Sequence, residues 1–268
     1  MKKQRILFAT VCIERNRWTP QRVPTIRVSQ WGPRAIACGF DGLELWAPHA
    51  DAEDTEERIL LTQGKAGPII ILNAYDSFDI TPHARAGREK TIALIRQLGV
   101  EGVKVNLGAD PARLNDYLRE MEGFLSRMPA RPNGLPVRVL CECHPGTVVD
   151  SPKTARAMLD IIKDPRLWII IHPFSETEES LRQWFDSCGE WIVHAHVQSR
   201  ESLLRDRAEW VMKRLRYLRT LGFQGDYSME FVKGTGVPDE APETQFQRAV
   251  WDFEVLSQGL TLYQMQRE

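Results

Sequence analysis

The sequence predicts a single (β/α)8 barrel spanning all 268 residues. Two observations carry the prediction. Short apolar runs alternate with longer amphipathic segments from end to end, in eight pairs, as repeated βα units and a parallel sheet require. Four chemistry-bearing residues, Glu142, His172, His196 and Glu230, each stand near the end of an apolar run, at successive spacings of 30, 24 and 34 residues. A barrel of roughly 250 residues allots about 30 to each strand and helix, and places its chemistry at strand ends. Length alone would allow two domains, but barrels of this size are single domains. No linker or low-complexity segment divides the chain. A doubly wound open sheet is the competing architecture, yet no GxGxxG turn or Walker loop follows any strand.

Taken in order, strands are expected near 5–12, 41–46, 68–73, 101–106, 136–142, 167–172, 191–197 and 226–231. Helices are expected near 25–38, 53–64, 82–98, 110–128, 151–163, 177–188, 203–221 and 241–259. Asp110-Pro111 and Ser151-Pro152 each pair an N-cap with proline at the first helical position. Thr177, three residues before Ser180, is a weaker start. Gly39, Gly99 and Gly222 each follow a helix and precede a strand, where left-handed C-terminal caps fall.

A formal net charge of −1 provides no global field for nucleic acid or anionic membrane. No apolar run approaches the roughly 20 residues needed to span a bilayer. The N-terminus has basic residues and a short apolar stretch, but no small-residue cleavage site, so it reads as a first strand. The five scattered cysteines, Cys12, Cys38, Cys141, Cys143 and Cys188, argue for a reducing, cytoplasmic setting. If Glu142 points inward, Cys141 and Cys143 face the helices as inert buried thiols.

Strand alternation puts Glu142 with His144, His194 with His196, and Ser228 with Glu230 on shared faces. Glu142, His172, His196 and Glu230 are therefore the candidate ligands of one divalent ion. Mixed carboxylate and imidazole donors suit Mn, Zn, Co or Fe better than Mg or Ca. His194, one pleat deeper, reads as a supporting residue. His144 is a candidate base or substrate donor, or a turn histidine before Pro145. His49, Tyr75, Asn106, Gln198 and Arg200 are candidate substrate contacts, and Asn73 lies in a loop expected at the mouth. The segment 14–34 carries Arg15, Arg17, Arg22, Arg27 and Arg34 against one acid; it reads as a solvated face or an anion attractor.

Four segments resemble one family. GFDGLELW (39–46), VLCECHPGTVVDSP (139–152), HAHVQ (194–198) and YSMEF (227–231), in this order, are similar to the xylose isomerase-like TIM-barrel superfamily of sugar phosphate isomerases and epimerases. Within it, GFDGLELWAPHA and ECHPGTVVDSP look closest to bacterial 3-dehydroshikimate dehydratases. The resemblance implies metal ligands at Glu142, residue 172, His196 and Glu230, and a catalytic or substrate-binding role for His144. It also implies that Glu142 and Glu230 carry protons. The sequence departs from the family pattern at three places. The family usually has aspartate where His172 stands, histidine where Ser175 stands and, in the dehydratases, lysine where Gln198 stands. The first change takes the formal ligand charge from −3 to −2.

The expected chemistry is removal of a proton alpha to the carbonyl of a small polyhydroxylated substrate, through an enediolate. Return of the proton gives isomerisation or epimerisation, with Glu142, Glu230 and His144 as the candidate carriers. Loss of a beta hydroxyl gives a dehydratase, the alternative reading. A non-catalytic binding barrel stays open because of His172, Ser175 and Gln198. A nuclease, an activity found in the same superfamily, would need more ligands and a basic groove. Neither nucleic acid nor membrane is expected as a partner, and a homo-oligomer is compatible with the sequence.

Overall fold

The computed structural model describes residues 3–265. Eight parallel strands close into a barrel in sequence order. They are β1 (Ile6–Ala9), β2 (Gly42–Trp46), β3 (Ile69–Asn73), β4 (Gly102–Val105), β5 (Arg138–Glu142), β6 (Leu167–Ile171), β7 (Ile192–Gln198) and β8 (Asp226–Phe231). The outer layer is α1 (Val28–Ala37), a one-turn α2 (Ala47–Ala50), α3 (Thr55–Thr62), α4 (Pro82–Leu98), α5 (Leu114–Ser126), α6 (Pro152–Ile162), α7 (Glu178–Cys188), α8 (Ala208–Thr220) and α9 (Pro242–Met265). Ser151 caps α6 as expected, in a capping box with Thr154, and Thr177 accepts from the Ser180 amide. Gly99 closes α4 at φ 65°, a left-handed conformation costly for other residues. Two expectations shift. The first strand ends at Ala9, because Thr10–Ile13 winds into a 3-10 turn, and Asp110 caps a 3-10 turn that precedes α5.

The pleat sorts the side chains. Phe8, Leu43, Leu45, Leu72, Val103, Val105, Val139, Cys141, Ile169, Ile171, Ala195, Val197, Tyr227 and Met229 belong to the large core between sheet and helices. Cys143 joins them, so both thiols flanking Glu142 are buried as expected. The alternate positions fill the barrel. At its lower end Leu7, Ile71, Leu140 and Ile170 form a small apolar plug. Below the plug Arg5 ties the β1–β8 seam, reaching Asp226 at 2.8 Å and Glu101 at 2.9 Å. Above it the interior turns polar: Glu44, Asn73, Lys104, Glu142, His194, His196, Ser228 and Glu230 are all buried.

The loops at the C-terminal end of the strands are pinned by buried polar contacts. Arg17 pairs with Glu240 and donates to the carbonyls of Val11 and Cys12, fastening the first loop to the one before α9. Arg27 and Arg34 are likewise engaged, with Asp54 and with Glu243. Arg17, Arg27 and Arg34, three of the five arginines named in this segment, are thus paired with acids. Asp252 of α9 accepts from Ser199 Oγ at 2.6 Å and from the Leu204 amide at 2.7 Å, holding the loop after β7.

Burial pushes the Asp252 carboxyl up to about 6, its hydrogen bonds offsetting only part of the effect. The folded chain thus binds this proton more tightly than the unfolded chain, and stability falls as pH rises from about 4 to about 6. Urea unfolding of the wild type and Asp252→Asn at pH 4.5 and pH 7 should show this. The wild type should lose on the order of 2 kcal/mol relative to the variant across that interval; parallel behaviour of the two proteins would refute the assignment.

Candidate metal centre

Strands β5, β6, β7 and β8 bring Glu142, His172, His196 and Glu230 together, each offering a ligand atom within 4.8 Å of the others. Glu142 Oε1 lies 3.0 Å from His172 Nε2 and 3.0 Å from His196 Nδ1. Glu230 Oε2 lies 3.3 Å from His196 Nδ1 and 3.9 Å from His172 Nε2. An ion about 2.0–2.2 Å from each donor needs donor spacings of roughly 3–4 Å. Donor chemistry and spacing both fit a divalent ion. His172 and Glu142 reach the same point because each caps the end of its strand.

A second acid stands behind the first group. Glu44 of β2 faces His196 Nε2 at 3.2 Å and His194 Nε2 at 3.6 Å. His196 is therefore gripped at both nitrogens, the arrangement in which an outer carboxylate orients a ligating imidazole. Asn73 donates to Glu44 at 2.7 Å, and His194 Nε2 lies 2.8 Å from Ser228 Oγ. Glu44 was not among the expected site residues, nor was Lys104. The Lys104 ammonium is 1% exposed and lies 2.6 Å from Glu142 Oε2. Both had a signal in sequence: a charge flanked by apolar residues inside a strand, Leu43-Glu44-Leu45 and Val103-Lys104-Val105.

Burial opposes ionisation of all three carboxylates, yet each is held below its ordinary value. Lys104, with hydrogen bonds from His172 and His196, overrides burial at Glu142. His196 does so at Glu230, against the repulsion of Glu142. His196 and His194 do so at Glu44. Burial likewise works against charge on His196, but Glu230 and Glu44 raise its pKa well above the imidazole value. His194 goes the other way, lowered by burial that Glu44 only partly offsets.

The expected substrate contacts divide into three groups. Asn106 and Gln198 belong to the centre: Asn106 Nδ2 donates to Glu142 Oε2 at 3.2 Å, and Gln198 donates to Glu230 Oε2 at 2.7 Å. His144, 36% exposed at its side chain, places Nε2 3.1 Å from Asn106 and 4.0 Å from Glu142. Tyr75 and Arg200 stand further out. Lys104 Nζ and Arg22 Cζ each lie 4.4 Å from the Tyr75 ring centre, and Arg200 stacks over Phe231 and Trp18. His49 differs from expectation. It is buried against Trp46, its pKa lowered to about 3 by burial, because α2 turns it inward. His83 falls in the first turn of α4. Tyr75, His49 and His83 border a cleft of about 1180 Å³ that lies beside the four donors and does not include them.

No protein-family model matches the chain, and no curated protein matches it. Solved structures do. An L-ribulose 3-epimerase superposes with a TM-score of 0.69 at 13% identity, over 98% of this chain and 97% of the other. A probable 3-DHS dehydratase, AsbF, from Bacillus anthracis gives 0.64 at 16% identity, over 95% and 98%. A xylose isomerase-like TIM barrel protein from Mycobacterium smegmatis, in complex with magnesium, gives 0.61 at 13%, over 96% and 98%. The chain thus has the fold of the xylose isomerase-like TIM barrels, the one its motifs resemble.

Glu44→Ala should lower divalent-ion affinity about 10–100-fold by freeing the His196 ring. Competition against a chelating dye measures this, and unchanged affinity would show that Glu44 does not orient the ligand.

Proposed function

We propose that this protein is a divalent-metal-dependent isomerase or epimerase of a sugar or related polyhydroxylated carbonyl compound. The observation that carries the reading is the meeting of Glu142, His172, His196 and Glu230 at the barrel mouth. Nitrogen donors favour Mn, Zn, Co or Fe over Mg or Ca. A bound ion supplies Lewis acidity, drawing charge from a carbonyl oxygen and acidifying the neighbouring C–H bond. Asn73 Oδ1 and Asn106 Oδ1 are buried without a hydrogen-bond partner. Acceptors of this kind are what the hydroxyls of a small ligand satisfy.

Glu230 is the better placed proton carrier. Its carboxyl is held below the usual range by His196 despite burial, so it is ionised at neutral pH and able to accept a proton. Gln198 donates to its Oε2, and no described residue donates to its Oε1. Glu142 is the weaker base, because its Oε2 is tied to Lys104. His144 is the second carrier. Its Nδ1 lies 2.7 Å from the Pro145 carbonyl, which assigns the proton to Nδ1 and leaves Nε2 an acceptor. β5 and β8 stand three strands apart around the ring, so His144 and Glu230 approach the site from different sides. Delivery of a proton to the opposite face or the neighbouring carbon gives epimerisation or isomerisation.

Dehydration is the second reading, favoured by the motif at 139–152 and by the similarity to AsbF. Against it, Gln198 provides a neutral amide committed to Glu230 where those enzymes carry a cation.

Protein purified without chelator should contain Zn, Mn, Fe or Co by elemental analysis. In D2O it should exchange solvent deuterium into the carbon alpha to the carbonyl of a ketose within a broad panel. Glu230→Gln should slow that exchange about 10²–10⁴-fold. Rising ultraviolet absorbance from a conjugated product would point to the dehydratase. Ligand binding without exchange across the panel would make the protein a binder.

A further inference from the structure

Lys104 is a cation of the barrel interior that the proposed reaction leaves without a task. It comes from β4 and is almost fully buried, and its ammonium divides Glu142 into two unlike oxygens. Oε1 faces both imidazoles at 3.0 Å. Oε2 receives the ammonium at 2.6 Å and the Asn106 amide at 3.2 Å. Glu230 is arranged differently: the Gln198 amide meets the oxygen that already faces His196, and no described residue donates to the other.

We propose that Lys104 withholds Oε2 of Glu142 from the metal, so that this glutamate ligates through a single oxygen and one position is kept for substrate. The inference rests on the metal reading given above. Carboxylates bind divalent ions through one oxygen or two. For Glu142 to use both, Oε2 would have to leave Lys104 and strand an ammonium in the barrel interior, which is strongly unfavourable. The charges agree with this role. Glu44, Glu142 and Glu230 bring three negative charges and Lys104 one positive, all buried. With neutral imidazoles two negative charges remain, which one divalent ion balances. Lys104 is thus a positioning residue: it trades metal affinity for an accessible, more electrophilic ion.

The test compares metal-free wild type, Lys104→Met and Lys104→Arg, each titrated with Co2+ against a chelator and followed by visible absorption. Lys104→Met should bind Co2+ at least ~10-fold more tightly, since a nearby like charge is gone and a second oxygen is released. Its cobalt bands should weaken as the coordination number rises. Deuterium exchange should fall at the same time. Lys104→Arg, which keeps a cation on Oε2, should retain the wild-type spectrum. Equal or weaker cobalt binding by Lys104→Met, with an unchanged spectrum, would overturn the proposal. Failure of all three proteins to bind Co2+ would instead sink the metal reading and this inference with it. If Lys104→Met does not fold, a crystal structure of manganese-loaded wild type decides. One Glu142 oxygen on the ion with the other still on Lys104 supports the proposal, and both oxygens on the ion refute it.

Discussion

Three carboxylates share the dry interior of one barrel, and the upper half of the molecule is arranged around that fact. Glu44, Glu142 and Glu230 are each at most 4% exposed. Removing even one such charge from water costs several kcal/mol unless it is paired and hydrogen-bonded. The pairing is supplied by Lys104, His172, His194 and His196, with the amides of Asn73, Asn106 and Gln198 meeting further oxygens. Replacing any one of these residues by an apolar one removes part of the pairing of a buried carboxylate. His196 is the hinge of the network, since one nitrogen faces Glu142 and Glu230 and the other faces Glu44.

This arrangement gives the unusual histidine at position 172 a physical context. Imidazole in place of the aspartate typical of the resembled family leaves the four-donor group one negative charge short. Glu44 contributes a negative charge directly behind it, across His196. Lys104 then reduces the total to what a divalent ion can neutralise. The apolar plug of Leu7, Ile71, Leu140 and Ile170 lies below the charges. At the mouth the loops are fixed by the Arg17–Glu240 pair and by Asp252. Paired loops thus stand above an interior whose fixed charges one divalent ion would balance.

Sequence order alone carried the barrel. Alternation of apolar runs with amphipathic segments placed all eight strands, and caps such as Ser151-Pro152 marked helix starts, because these signals are local and backbone-driven. The four donors were also legible, since a barrel repeat converts strand-end residues about 30 apart into neighbours. What the sequence could not decide was partnership across the ring. Glu44 lies 152 positions and five strands from His196, so no spacing rule joins that pair. His49 shows the converse: it reads as a mouth residue, but a single turn of helix buries it beside Trp46. Pattern and period fix which face a residue takes. Only closure of the sheet fixes which distant charge it meets, because that distance is set by strand order and register around the ring.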